Sequence, residues 1–117
     1  MKPANLWGHI PAELPDELCE VIGGNSQVRI ERIVSRGHCS EPDFWYDQDE
    51  DEFVLLLGGF ARLELQNPHE VVDLNPGDYL TIAAHRRHRV EFTNPEDDTL
   101  WLTVFFAPER ASPPRKI

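Results

Sequence analysis

The chain has 117 residues, the size of one domain, and its 40% hydrophobic content suffices for a core without disulfide or metal support. Its 11 basic and 21 acidic residues give a net charge of −10, a field that repels nucleic-acid phosphates and anionic lipid, so neither is expected as a partner. The longest apolar run, Phe53-Val54-Leu55-Leu56-Leu57, falls far short of the roughly 20 residues a membrane helix needs.

In chain order, Met1 to His9 lacks the basic start and apolar stretch of a secretory signal, so the expected location is cytoplasmic. Residues 1–27 are expected to form an arm, with Trp7 pinning it across the rest of the molecule. The arm carries a short helix over Pro15-Asp16-Glu17-Leu18-Cys19-Glu20-Val21-Ile22, with proline and acids in the first turn and Gly23-Gly24 past the end. Cys19 and Cys39 stand apart without CxxC spacing and read as small, buried or half-buried thiols, not as a redox pair.

From Gln27 onward the period becomes that of strands. Val28-Arg29-Ile30-Glu31-Arg32-Ile33, Ala61-Arg62-Leu63-Glu64-Leu65 and Leu100-Trp101-Leu102-Thr103-Val104 all alternate. Turn signals separate the runs at Gly58-Gly59, Gln66 to His69, Asn75-Pro76-Gly77-Asp78 and Thr93 to Asp98, which predicts an antiparallel sandwich or barrel. The tail over 107–117 loses its periodicity, carries three prolines and is expected to be loosely held.

Two stretches carry a resemblance. Tyr46-Asp47-Gln48-Asp49-Glu50-Asp51-Glu52, followed by six residues and Gly59, resembles the first motif of the cupin superfamily, H-x-H, three or four residues, E, six residues, G. Gly77 to His88 resembles the second, G, five residues, P-x-G, two residues, H, with Ala83 at the usual proline, His85 at the usual glycine and Phe92 at the usual final asparagine. The resemblance spans roughly residues 28–106. It implies an all-β fold: a single-domain cupin-like β-barrel, a jelly roll of two antiparallel sheets, with a short N-terminal helix or arm. It also implies a homodimer, which would cover an open sheet edge.

In that family the two first-motif histidines, the glutamate and the second-motif histidine hold one divalent ion, such as zinc, iron, manganese or nickel. Here the two histidine positions are Tyr46 and Gln48. Glu52 and His88 remain as good ligands and Gln48 as a weak one, one short of the usual three for a catalytic metal. Either a weakly held ion or none is compatible with this set.

Strand geometry points to the same cluster. Tyr46 and Gln48 share one face, Glu52, Val54 and Leu56 another, and His88, Val90 and Phe92 a third. If these faces line a barrel interior, Tyr46, Gln48, Glu52 and His88 form a polar pocket among aliphatic side chains, suited to a small molecule. With a metal, Glu52 and His88 would anchor it, as in a dioxygenase or isomerase-like cupin. Without one, His88 would be the general base, Glu52 its orienter and Tyr46 a proton donor. A non-catalytic binding module and a structural remnant are the other two classes.

Arg87, with His85, Arg86 and Arg89, brings local positive charge that either attracts an anionic group on a ligand or pairs with acids such as Asp47. The acidic run at 47–52 lacks the glycine of a calcium loop and reads as solvated, apart from Gln48 and Glu52. Trp45, Trp101, Phe44, Phe105 and Phe106 read as core or interface aromatics, and His9, His38 and His69 fall in loops without a role.

Overall fold

A computed structural model describes residues 1–109 and shows eight strands: β1 (Leu18–Gly24), β2 (Val28–Ser35), β3 (Asp51–Gly58), β4 (Ala61–Leu65), β5 (Glu70–Leu74), β6 (Tyr79–Ile82), β7 (His88–Thr93) and β8 (Thr99–Phe106). Pairing is antiparallel throughout. One sheet runs β1-β2-β8-β3-β6 and the other β5-β4-β7. Val54 and Leu56 of β3, Leu63 and Leu65 of β4, Ile82 and Trp101 meet in one core, each apolar at alternate positions as a half-buried strand requires. Among the described residues there is no helix, and none long and apolar enough to cross a membrane. The loose tail expected over 107–117 lies, from residue 110 on, outside the described residues.

The expected N-terminal helix is instead strand β1, so the sheet begins at Leu18 and not at Val28. The proline and acids that read as helix punctuation open a segment of only eight residues, too short to hold helix on its own. Val21 and Ile22 favour extended backbone, and the free edge of β2 offers a ladder that solvent cannot.

The arm before β1 is tied to the sheet at two places. Trp7 lies against Gly58, where an added Cβ would come within 2.4 Å of the indole, so the expected pinning by Trp7 depends on a missing side chain. Arg32 on β2 is buried and donates to the carbonyls of Leu6 (2.9 Å) and Gly8 (2.5 Å) and to Glu20. These bonds satisfy a guanidinium that burial would otherwise penalise.

Two turns behave as their residues demand. Gly59, at φ +84°, follows β3, and Gly77, at φ +92°, completes a turn in which the Asp78 amide donates to the Asn75 carbonyl at 2.9 Å. The Gly77 amide then donates to the Leu56 carbonyl at 2.7 Å, fixing the approach to β6.

β7 departs from simple alternation. Its register against β4 shifts where Arg62 pairs with Phe92 but Leu63 pairs with Val90, leaving Glu91 as the extra residue of a bulge. Beyond the bulge the faces exchange: Phe92 is 42% exposed, and Thr93, at 2%, turns inward to donate to the His38 carbonyl at 2.6 Å. Phe92 therefore does not share the interior face of His88 and Val90. It sits outside, 6.0 Å from the Phe60 ring.

Candidate functional site

A cavity of about 270 Å³ opens between the inner faces of the two sheets. Each strand sends alternate residues into it: Arg29, Glu31 and Ile33 from β2, Glu52 and Val54 from β3, His88 and Val90 from β7, and Trp101, Thr103 and Phe105 from β8. Tyr46 and Gln48 also reach it, though not from a regular strand. Tyr46 forms a single bridge to His88, with Tyr46 N to His88 O at 2.7 Å and His88 N to Tyr46 O at 3.1 Å, and the Gln48 carbonyl accepts the His85 amide at 2.8 Å.

The predicted quartet converges. Gln48 Nε2 donates to Glu52 Oε1 at 2.9 Å, and the same oxygen lies 3.4 Å from His88 Nε2. The Tyr46 ring stacks on the His88 imidazole, with centroids 5.4 Å apart and planes 24° apart. His88 Nδ1 lies 2.9 Å from the Arg86 carbonyl. A carbonyl can only accept, so Nδ1 keeps its hydrogen in either charge state and Nε2 is the site that titrates. Burial opposes the charge on His88, but the bonds to Glu52 and the Arg86 carbonyl and the charge of Glu52 outweigh it, so His88 titrates above its ordinary value. Burial, then the charges of Glu17, Cys19 and Glu52, push the Tyr46 phenol upward, which keeps it a proton donor.

Arg87 does not join the quartet. Its side chain is exposed and stacks 5.9 Å from the Trp45 ring, away from the cavity wall. The neighbouring cations pair with acids: His85 with Asp47 (2.8 Å) and Asp49 (3.2 Å), Arg86 with Glu70 (3.2 Å) and Arg89 with Glu64 (3.3 Å). At φ +64°, His85 keeps the left-handed backbone that glycine adopts freely at this motif position.

Sequence reasoning missed several wall residues. Glu17 and Cys19 enter the cavity because β1 joins the sheet, whereas a helix there would have turned them elsewhere. Ser35 Oγ donates to Glu17 Oε2 at 2.6 Å and accepts from Trp101 Nε1 at 3.1 Å, a chain from the core to the cavity rim. Both cysteines are free and exposed, not buried or half-buried as expected, since Cys19 lies on the outermost strand and Cys39 in a loop. The Cys19 thiol, turned toward the cavity, is nonetheless partly shielded from water, and this desolvation and then Glu17 push it up to about 11, so it stays protonated. Trp101 and Phe105, expected in the core or at an interface, are both core and cavity wall.

The donor set does not fit a tightly held divalent metal. Glu52 and His88 supply one carboxylate and one imidazole, Gln48 offers a neutral amide already hydrogen-bonded to Glu52, and the Tyr46 phenol is pushed away from ionisation. Among the described residues no three His, Cys, Asp or Glu side chains gather as a metal site.

No protein-family model matches the chain, and no curated protein matches it. Solved structures do. A protein from Ralstonia eutropha JMP134, provisionally assigned as a mannose-6-phosphate isomerase, is 37% identical with a TM-score of 0.87, and the match covers 92% of this chain and 100% of that chain. A cupin superfamily protein from Desulfitobacterium hafniense is 20% identical with a TM-score of 0.69, covering 85% of this chain and 84% of that chain. An RmlC-like cupin with a double-stranded β-helix fold from Methanocaldococcus jannaschii is 14% identical with a TM-score of 0.64, covering 84% and 86%. Two antiparallel sheets around a polar-floored cavity and this agreement over nearly the whole chain lead to one conclusion: the chain belongs to one family with the Ralstonia eutropha protein and has the fold of the cupin proteins it matches.

Proposed function

We propose that the cavity binds a small polar molecule and that the His88–Glu52 pair moves a proton on it without a metal. The observation that carries this reading is the fixed tautomer of His88: with Nδ1–H committed to the Arg86 carbonyl, the exchangeable proton sits at Nε2, 3.4 Å from Glu52 Oε1. Such a pair takes a proton from a ligand at Nε2, shares it with Glu52 and returns it, while the neutral Tyr46 phenol donates a hydrogen bond to charge that develops on the ligand. The aliphatic and aromatic wall of Val54, Leu63, Val90, Trp101 and Phe105 limits water at the reacting atoms. The chain is further proposed to pair with a second copy through the open edge of β1.

The test is to screen small molecules by the shift of cavity resonances in heteronuclear NMR, then incubate each binder in heavy water and follow its C–H signals. The reading expects at least one binder to lose a proton signal in the presence of the protein, with chelator making no difference and with Glu52→Gln and His88→Asn abolishing the loss. Binders that shift the cavity but never exchange would make this a binding module. Exchange that vanishes with chelator and returns with added metal would overturn the metal-free scheme.

A further inference from the structure

The charge of the cavity wall is opposite to that needed by a phosphorylated or carboxylated ligand. Among the described residues three carboxylates line it, Glu17, Glu31 and Glu52, against a single guanidinium, Arg29. Arg29 is already occupied: its Nε lies 2.5 Å from Glu31 Oε2, its Nη1 lies 3.2 Å from Glu50 Oε1, and its guanidinium sits 4.3 Å over the Phe105 ring. Glu52 faces His88 and Gln48. Glu17 has no cation at all among the described residues. Its oxygens accept from Ser35 Oγ and, at 3.7 Å, from Cys19 Sγ, both neutral donors. A half-buried carboxylate with only neutral partners raises the local attraction for positive charge, since the low-dielectric wall screens it poorly.

An independent observation marks the same space as a ligand site. Thr103 is 1% exposed and lines the cavity between Trp101 and Phe105 on β8, yet its Oγ1 has no hydrogen-bond partner among the described residues. A buried hydroxyl left in this state destabilises the fold. Its complement is a polar group on something that enters the cavity.

We infer that the ligand is a small organic cation, an amine that also carries a hydroxyl or second N–H group, with its ammonium held by Glu17 and Glu52 and its other polar group meeting Thr103 Oγ1. The aromatic walls formed by Tyr46, Trp101 and Phe105 suit such a cation, which gains from ring faces as well as from carboxylates. This inference rests on the reading that the cavity binds a small molecule, and it narrows the class. It also separates this chain from a phosphosugar site, because among the described residues no unpaired cation stands in the wall to receive a phosphate.

The Trp101 indole supplies the reporter, since its N–H ends the chain that runs through Ser35 to Glu17. Three fragment sets of matched size, amino alcohols, diols and hydroxy acids, are titrated into the labelled protein. Amino alcohols are expected to shift the Trp101 indole N–H and to bind at least tenfold more tightly than diols, with hydroxy acids weakest. Glu17→Gln should erase the preference for the amine, while Glu17→Asp should keep it; both variants should retain the remaining spectrum. Diols that bind as well as amino alcohols, hydroxy acids that bind better, or a preference that survives Glu17→Gln would overturn the inference while leaving the cavity reading standing. No shift of any cavity resonance by any set would overturn both.

Discussion

At Glu52 and His88, packing and protonation are one question. His88 titrates above its ordinary value of about 6.5 because its bonds to Glu52 and the Arg86 carbonyl outweigh burial. A group raised in this way contributes stability that is complete below its unfolded value and fades as pH rises through the folded one. The thermal midpoint is therefore expected to fall as pH climbs above about 6.5, and Glu52→Gln should flatten that slope while lowering the midpoint at pH 6. Melting curves across pH 5.5–9 on both proteins check this; equal slopes would sink the pairing. The four residues of this cluster were legible in the sequence because motif spacing fixes which positions meet, whatever the exact strand boundaries. Glu31 was not. On β2 both faces mix charged and apolar residues, Arg29-Glu31-Ile33 against Val28-Ile30-Arg32, so alternation alone does not say which face looks inward. Thr103 was equally hidden, since its significance lies in a missing partner.

Among the elements, β3 and its turn dominate. Leu56 is 0% exposed at the centre of the core, and Leu56→Ala should cost about 2–5 kcal/mol in urea unfolding. Gly59→Ala should cost at least about 1–3 kcal/mol, because φ is +84° and the new Cβ would stand 2.6 Å from the Thr99 Cα. A Gly59→Ala midpoint within error of the parent would show that the β3–β4 connection relaxes freely. The strands that alternate cleanly, β4 and β8, were legible from the sequence, as were the turns at Gly59 and Gly77, both at positive φ. β1 was not, since its local signals are those of a helix start and only the edge of β2 overrides them. The bulge at Glu91 was also invisible, because an extra residue in a ladder is a property of two strands at once.

For the whole molecule, the proposed pairing turns on the open edge. β1 ends the larger sheet, with Val21 65% and Ile22 48% exposed, and no lysine or proline guards that strand. Light scattering behind size exclusion should show a dimer, and Val21→Lys should shift it to monomer without changing the cavity resonances. A monomeric parent at NMR concentrations would remove the proposed pairing.

The arm held by Arg32 has one more implication. Removing residues 1–10 looks like trimming a loose end, yet it would leave a buried guanidinium without the carbonyls of Leu6 and Gly8 and uncover Gly58 where Trp7 lay. The shortened chain should melt as though a core residue had been deleted. Those ten residues act as a tethered ligand of the sheet, so the same peptide supplied in trans should raise the midpoint of the shortened chain in proportion to the logarithm of its concentration.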